Sequence, residues 1–104
     1  MIRIDENEIG RISAEQVLKN KANCIEQLKL EPTFDMMLDC SNALLPDEDL
    51  NEFNSLLLSK SRVLVVIMRT DQMDVLTSDW NLVPTLKEAE DFISLERIQR
   101  DLGF

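Results

Sequence analysis

Short apolar runs alternate along the chain with segments in which apolar residues recur at helical spacing. Residues 63 to 68, Val-Leu-Val-Val-Ile-Met, give the best strand pattern, because they are rich in β-branched residues and are bounded by arginines. A second run, residues 34 to 40, has three apolar residues between Asp35 and Asp39. Unbroken apolar runs are typical of parallel strands that are covered on both faces. Both segments are therefore predicted to be strands of a parallel sheet, with residues 63 to 68 at its centre.

The first predicted helix follows Ser13, which with Gln16 forms a capping box for the free N–H groups of the first turn. Pro32 ends it, because proline offers no N–H and disfavours a helical residue before it. Its apolar positions fit one side of a helix. That side is predicted to comprise Ala14, Val17, Leu18, Ala22, Ile25 and Leu28.

Two further helices are predicted. The second follows Pro46, with Asp47 as its N-cap, and ends near residue 60. The third runs from about residue 86 to 102, with a capping box formed by Thr85 and Glu88 and with Gly103 as a left-handed stop. The apolar side of the third helix is predicted to include Leu86, Ala89, Phe92, Ile93 and Ile98.

A hairpin around residues 5 to 8 and a short strand at residues 81 to 83 complete the order β, α, β, α, β, β, α. Strands that alternate with helices are connected by right-handed crossovers, which makes their sheet mainly parallel. We therefore expect residues 1–104 to form one α/β domain, with a mainly parallel β-sheet flanked by helices.

The balance of charge narrows the choice of partner. Acidic residues outnumber basic ones by 20 to 11, which gives a formal charge of −9. Such a chain repels nucleic acid and anionic membrane surfaces, and it favours a protein partner with a basic surface. No apolar run approaches the roughly 20 residues that span a bilayer, and residues 1 to 6 do not resemble a signal peptide. We expect a cytoplasmic protein.

The residue types that are missing exclude much chemistry. The chain has no histidine, no tyrosine and only two glycines. A histidine triad, a histidine zinc site and a glycine-rich phosphate loop therefore cannot be built. Cys24 and Cys40 form no CxxC motif, and both are predicted to be buried thiols rather than a disulfide. We predict no enzyme, and no catalytic, cofactor-binding or metal-binding residue.

Three segments resemble STAS domains, the anti-sigma-factor-antagonist fold. Residues 38 to 43, Leu-Asp-Cys-Ser-Asn-Ala, resemble the Asp-x-Ser end of a STAS strand, and residues 83 to 89, Val-Pro-Thr-Leu-Lys-Glu-Ala, resemble the Pro-Thr-x-x-Glu-Ala start of the final helix. The tail, residues 95 to 104, resembles small STAS-like proteins of Bacteroidetes-type bacteria, some of which carry the label ribonuclease Z. The resemblance spans roughly residues 34 to 104 and implies a STAS fold that regulates through protein binding.

One departure from that family matters most. STAS switches carry a phosphorylatable serine or threonine just before the second helix, whereas residues 46 to 50 read Pro-Asp-Glu-Asp-Leu. We therefore expect serine kinases of the anti-sigma type to leave residues 47 to 49 unmodified, and phosphate on Ser41 would mean that the switch has moved. The ribonuclease label does not fit, because that chemistry needs several histidine ligands for zinc.

The resemblance and the charge together predict a non-enzymatic regulatory or interaction module whose switch serine is replaced by acids. The partner-binding residues are predicted to be Asp47, Glu48, Asp49, Leu50 and Leu58. The acids either mimic a phosphorylated switch or only stabilise the start of the helix, by about 0.3–1 kcal/mol each. A homodimeric structural protein, a small enzyme that uses carboxylates and a nucleotide-binding role remain as alternatives.

The sequence allows two interpretations of several individual residues and segments. A Mg²⁺ site of Asp35, Asp39 and Asp47 is disfavoured, because Asp35 and Asp39 lie about 13 Å apart along a strand. Trp80 either anchors the last strand in the core or contacts a partner. The last helix either covers the sheet or docks a partner, and its Arg97 and Asp101 are spaced for an i,i+4 ion pair. The terminal Phe104 either packs under that helix or is offered to another chain.

Overall fold

The computed structural model describes residues 2–30, 33–71 and 81–103. Within these residues, five strands form one sheet and three helices pack against it, as the predicted α/β class requires. The elements are β1 Arg3–Ile4, β2 Ile9–Ser13, α1 Ala14–Leu30, β3 Asp35–Asp39, α2 Asp47–Ser59, β4 Leu64–Ile67, β5 Leu82–Val83 and α3 Leu86–Asp101. Pro32, Trp80, Phe104 and the greater part of the polar connection before β5 lie outside the described residues.

The strands lie in the sheet in the same order as in the sequence, β1-β2-β3-β4-β5. The hairpin strand β1 is antiparallel to β2, and every later pair is parallel. Ile12 lies beside Leu38, which in turn lies beside Val66. Since β4 pairs with β3 on one side and β5 on the other, the predicted central position of residues 63 to 68 is confirmed.

Apolar side chains pack against both faces of the sheet, which explains the unbroken apolar runs of β3 and β4. One face carries α1 and α2, whose core residues are Ala14, Val17, Cys24, Ile25, Leu28, Leu50, Phe53 and Leu57. The other face carries α3, whose Ala89 and Ile93 pack with Met37, Val65, Ile67 and Val83. The fold is thus three layers, with two helices on one face and one on the other.

The two predicted capping boxes and the predicted left-handed stop after the third helix are confirmed. The Gln16 N–H donates to Ser13 Oγ at 3.3 Å, and the Ser13 N–H donates to Gln16 Oε1 at 3.5 Å. At the third helix, the Glu88 N–H donates to Thr85 Oγ1 at 3.2 Å. Gly103 follows that helix with a φ of 82°, in the left-handed region that glycine occupies without strain.

The predicted cap of the second helix is wrong by one residue. Pro46 is the N-cap, and no side-chain hydrogen bond caps this helix. The Pro46 carbonyl accepts from the N–H groups of Asp49 and Leu50, at 3.0 and 3.2 Å. Asp47 is therefore already the first helical residue, where its charge still suits the positive end of the helix dipole.

Three residues that were assigned to the apolar sides of helices are exposed. Leu18 lies about 100° around α1 from the buried Val17, at 3.6 residues per turn. Ala22 follows Asn20, whose non-helical backbone (φ −138°, ψ 37°) kinks α1, so the helical spacing does not carry across this residue. Ile98 lies about 140° around α3 from Ile93 by the same geometry, and it too is exposed. The buried sides of α1 and α3 therefore include fewer residues than the sequence pattern suggested.

Candidate functional site

The three acids that begin α2 are held differently. Asp47 and Glu48 are exposed. Asp49 is mostly buried, and it accepts a 2.5 Å ion pair from Lys21 of α1. Lys21 also reaches Glu52, one turn further along α2, at 3.2 Å. The hydrogen bond to Asp49, followed by that to Glu52, raises the pKa of the Lys21 ammonium. Asp49 therefore ties α1 to α2, whereas Asp47 and Glu48 present their charge at the surface.

The two leucines predicted for the same site occupy opposite environments. Leu50 is 0 % exposed and belongs to the core beneath α2, so its side chain is not part of any surface that a partner could contact. Leu58 is 58 % exposed. Eleven positions separate it from Asp47, which is about three helical turns, so the two residues lie on nearly the same side of α2 and about 16 Å apart. The outer surface of α2 thus runs from exposed acids to an exposed leucine.

The segment between β3 and α2 is fixed by a local turn. Ser41 donates to Asp39 Oδ1 through both its backbone N–H, at 3.0 Å, and its hydroxyl, at 2.6 Å. Among the described residues, no group of three histidine, cysteine, aspartate or glutamate side chains is arranged to hold a metal ion. The carboxylate of Asp35 faces three arginines, so the disfavoured Mg²⁺ interpretation has no support from that residue.

Asp35 is the centre of a buried ionic cluster that the sequence analysis missed. Its side chain is 0 % exposed at the first residue of β3. It accepts from Arg62 at 3.2 Å, from Arg97 at 2.9 Å, and from Arg100 at 3.0 and 3.1 Å. The backbone N–H of Val63 adds a bond of 3.0 Å. The sequence spacing suggested an ion pair between Arg97 and Asp101 along α3, but in the structure Arg97 pairs with Asp35.

Opposing influences act on the pKa of Asp35. Burial raises this pKa, because a buried carboxylate loses its hydration. The N–H of Val63 and the guanidinium groups of Arg100 and Arg97 lower it, and together they outweigh burial. The pKa of Asp35 therefore lies below its ordinary value, and the group stays ionised.

Backbone carbonyls hold the same arginines in place. Arg97 donates to the carbonyl oxygens of Asn7 and Glu8, at 2.6 and 2.9 Å, so α3 is fastened to the β1–β2 turn. Arg100 donates to the Ser61 carbonyl at 3.0 Å, which fastens α3 to the α2–β4 loop. Since these partners lie before β2 and β4, the cluster stands at the edge of the sheet where the parallel strands begin.

A cavity of about 460 Å³ opens at this edge, which we call the amino edge. It is lined by Glu8, Thr33, Lys60, Ser61, Arg62, Arg97, Arg100 and Asp101. The predicted acids at the start of α2 lie after β3, at the opposite edge of the sheet. The structure therefore does not bring the predicted site and the arginine cluster together.

Both cysteines are buried and unpaired, as predicted. Burial, with a smaller contribution from the charge of Asp39, raises the pKa of the Cys40 thiol to about 12. Burial also raises the pKa of Cys24. Because the thiolate is the reactive form, neither side chain is suited to act as a nucleophile near neutral pH.

No protein-family model, no curated protein and no solved structure matches this chain. Within residues 2–30, 33–71 and 81–103, no helix has both the length and the apolar character needed to cross a bilayer. The fold and the geometry of the two sites are therefore the basis for a functional proposal.

Proposed function

We propose that this chain is a non-catalytic, cytoplasmic interaction module of the STAS type, which binds a basic protein surface through the outer side of α2. The observation that carries the proposal is the exposure of Asp47 and Glu48 at the start of that helix. STAS switches acquire negative charge there by phosphorylation, whereas here the charge is built into the sequence.

The architecture supports the STAS assignment. A mainly parallel sheet with an N-terminal hairpin carries two helices on one face and one on the other. The Asp39-Cys40-Ser41 segment, which resembles the STAS strand end, directly follows a buried strand and leads towards α2. Partners and ligands of open α/β sheets commonly bind at this carboxyl end of the strands.

The contact is proposed to run along α2 from Asp47 to Leu58. Exposed acids at one end of the helix attract a basic partner and speed its approach, since the whole chain carries a charge of −9. Leu58 at the other end supplies an apolar anchor. Asp49 is left out of the direct contact, because its carboxylate is engaged by Lys21.

The test compares two variants that lose the same charge. Asp47→Asn with Glu48→Gln removes both exposed acids of α2, and Glu26→Gln with Glu90→Gln removes two exposed acids from other helices. A partner is first captured from an extract of the source organism with the unaltered chain, identified by mass spectrometry and purified. It is then titrated against both variants at two salt concentrations.

We expect the α2 variant to bind more weakly and with less dependence on salt, while the control variant keeps most of the affinity. Leu58→Ser should weaken binding without changing the salt dependence. If the two charge variants bind equally, the contact does not lie on α2. If purified candidates show no saturable binding to the unaltered chain, the interaction function itself is wrong.

A homodimer is the second candidate, because α3 has an apolar outer side. Leu95, Ile98 and Leu102 are all exposed there, opposite the side that packs on the sheet. Three and four positions separate them, which is the spacing of a helix–helix seam. Sedimentation equilibrium of the purified chain distinguishes a monomer from a dimer, and Leu95→Ser with Leu102→Ser should dissociate a dimer that uses this side.

A further inference from the structure

The cavity at the amino edge is positively charged although the chain as a whole is acidic. Four cationic side chains line it: Lys60, Arg62, Arg97 and Arg100. Glu8 and Asp101 are the acids in its lining, and the buried Asp35 adds one more negative charge among the arginines. Cations therefore outnumber acids in this cavity, although the whole chain carries a charge of −9.

One hydrogen-bond donor in this cluster is not satisfied. The Nε of Arg100 is buried and has no hydrogen-bond partner among the described residues. Buried polar groups in folded proteins are nearly always paired, so an orphaned one indicates a water or an ion that completes the site. The other nitrogens of Arg100 are fixed by Asp35 and by the Ser61 carbonyl, so this guanidinium is already oriented.

The backbone around the cavity is strained. Glu8 and Ser61 have φ values of 60° and 59°, and they are the non-glycine residues with a left-handed backbone in the part of the chain that is described. Both line the cavity, and their carbonyl oxygens accept from Arg97 and Arg100. Ser61 stands in the turn that ends α2 and Glu8 in the β1–β2 turn, so these turns aim the carbonyls that orient the two arginines beside the cavity.

We propose that this cavity binds a phosphate group, either free or as a phosphomonoester, through Lys60, Arg62 and Arg100. Planar guanidinium groups donate pairs of N–H bonds that match the oxygens of phosphate, and an ammonium adds a point charge. Lys60 also donates to the Leu28 carbonyl, and Arg62 donates to Asp35, Glu8 and Thr33, so a phosphate is bound by the N–H groups that these contacts leave over. Arg97 is left out, because each of its three nitrogens already donates, to Asp35, to the Asn7 carbonyl and to the Glu8 carbonyl. A cavity of about 460 Å³ also leaves room for an organic group attached to the phosphate.

The first test is a titration of the isotopically labelled full chain, followed by ¹H–¹⁵N NMR. Inorganic phosphate and phosphoserine are added in separate experiments at constant ionic strength, with sodium chloride as the reference. We expect saturable shifts of the Ser61 and Arg62 amides and of the Arg100 Nε–H signal. Shifts that do not saturate, that chloride reproduces, or that lie away from the amino edge would overturn the proposal. Tighter binding of phosphoserine identifies a monoester as the ligand, and equal binding identifies free phosphate; both support the site.

The second test uses variants outside the Asp35 network, and urea denaturation of each variant checks that the fold is retained, since Lys60 also donates to the Leu28 carbonyl. Lys60→Gln should weaken phosphate binding by at least about fivefold, because it removes a charged donor. Asp101→Asn should strengthen binding, since it removes an acid from the lining. Lys19→Gln on the exposed side of α1 is the matched control and should change nothing. Equal affinities for the Lys60 and Lys19 variants would remove the cavity as the binding site, even if phosphate binds elsewhere.

Discussion

Asp35 accounts for more contacts between distant parts of the chain than its size suggests. One carboxylate, with no exposed surface, orders a loop arginine, two helix arginines and the first backbone N–H before β4. A buried charge is costly unless it is paired, and here three arginines and one backbone N–H pair with it. Removing the partner of three guanidinium groups therefore leaves uncompensated charge, which is a larger penalty than the loss of the bonds alone.

We expect Asp35→Asn to lower the free energy of unfolding by about 3–5 kcal/mol, because it strands buried cations. Urea denaturation of both proteins at neutral pH measures the difference. Asp71→Asn is the matched control, since Asp71 forms an exposed ion pair of 3.4 Å with Arg69 and should cost about 1 kcal/mol or less. Similar losses for the two variants would contradict the assigned role of the cluster.

The lowered pKa of Asp35 also predicts how stability depends on pH. A carboxyl group whose pKa is lower in the folded state contributes stability above its unfolded pKa of about 3.9, and that contribution is lost as the pH falls through the folded pKa. The stability difference between the unaltered chain and Asp35→Asn should therefore be constant from about pH 7 to pH 5, and should shrink below about pH 4. Urea midpoints at a series of pH values test this, and a difference that grows in acid would reverse the sign of the argument.

At the scale of elements, what the sequence predicts well is what neighbouring residues decide. The capping box of Ser13 and Gln16 spans three positions, and the strand pattern of residues 63 to 68 is continuous, so both are readable without a structure. The Asp35 cluster joins residues that are 27, 62 and 65 positions apart. The sequence did offer one signal for this cluster, namely an acid at the start of a buried strand in a chain that has arginines before β4 and late in α3. No spacing rule connects those positions, so only the folded sheet could join them.

The hairpin contains an unfavourable pair that only the strand register reveals. Arg3 of β1 lies directly opposite Arg11 of β2, and neither makes an ion pair within the residues described. Like charges in opposed positions destabilise a strand pair. We expect Arg11→Glu to raise the free energy of unfolding by about 0.2–1 kcal/mol. The stability of Arg11→Gln should lie between those of the unaltered chain and Arg11→Glu. Urea denaturation of the three proteins checks the order, and a less stable Arg11→Glu would show that these arginines have another partner.

At the scale of the whole molecule, the two proposed sites lie at opposite edges of one sheet. The outer side of α2 begins where β3 ends, and the phosphate cavity lies where β3 begins. Five residues of strand separate these edges. Substitutions at Asp47 and Glu48 should therefore leave phosphate binding unchanged. Lys60→Gln should leave the affinity for a protein partner unchanged. Each proposal can thus be tested, and refuted, without the other.

The order of strands in the sheet bears on how the chain is completed during synthesis. A nascent chain can add β3 and then β4 at the edge left by the preceding strand, since spatial order and sequence order coincide. Arg97 and Arg100, however, are synthesised 62 and 65 residues after Asp35, so Arg62 is the first arginine that can pair with this carboxylate. A chain that stops before Arg97 would bury this carboxylate with Arg62 as its arginine partner, and we expect it to be less stable. The α3 arginines thus complete late in synthesis an ionic cluster whose acid is made early, so α3 must emerge before the first turns of the sheet are fastened.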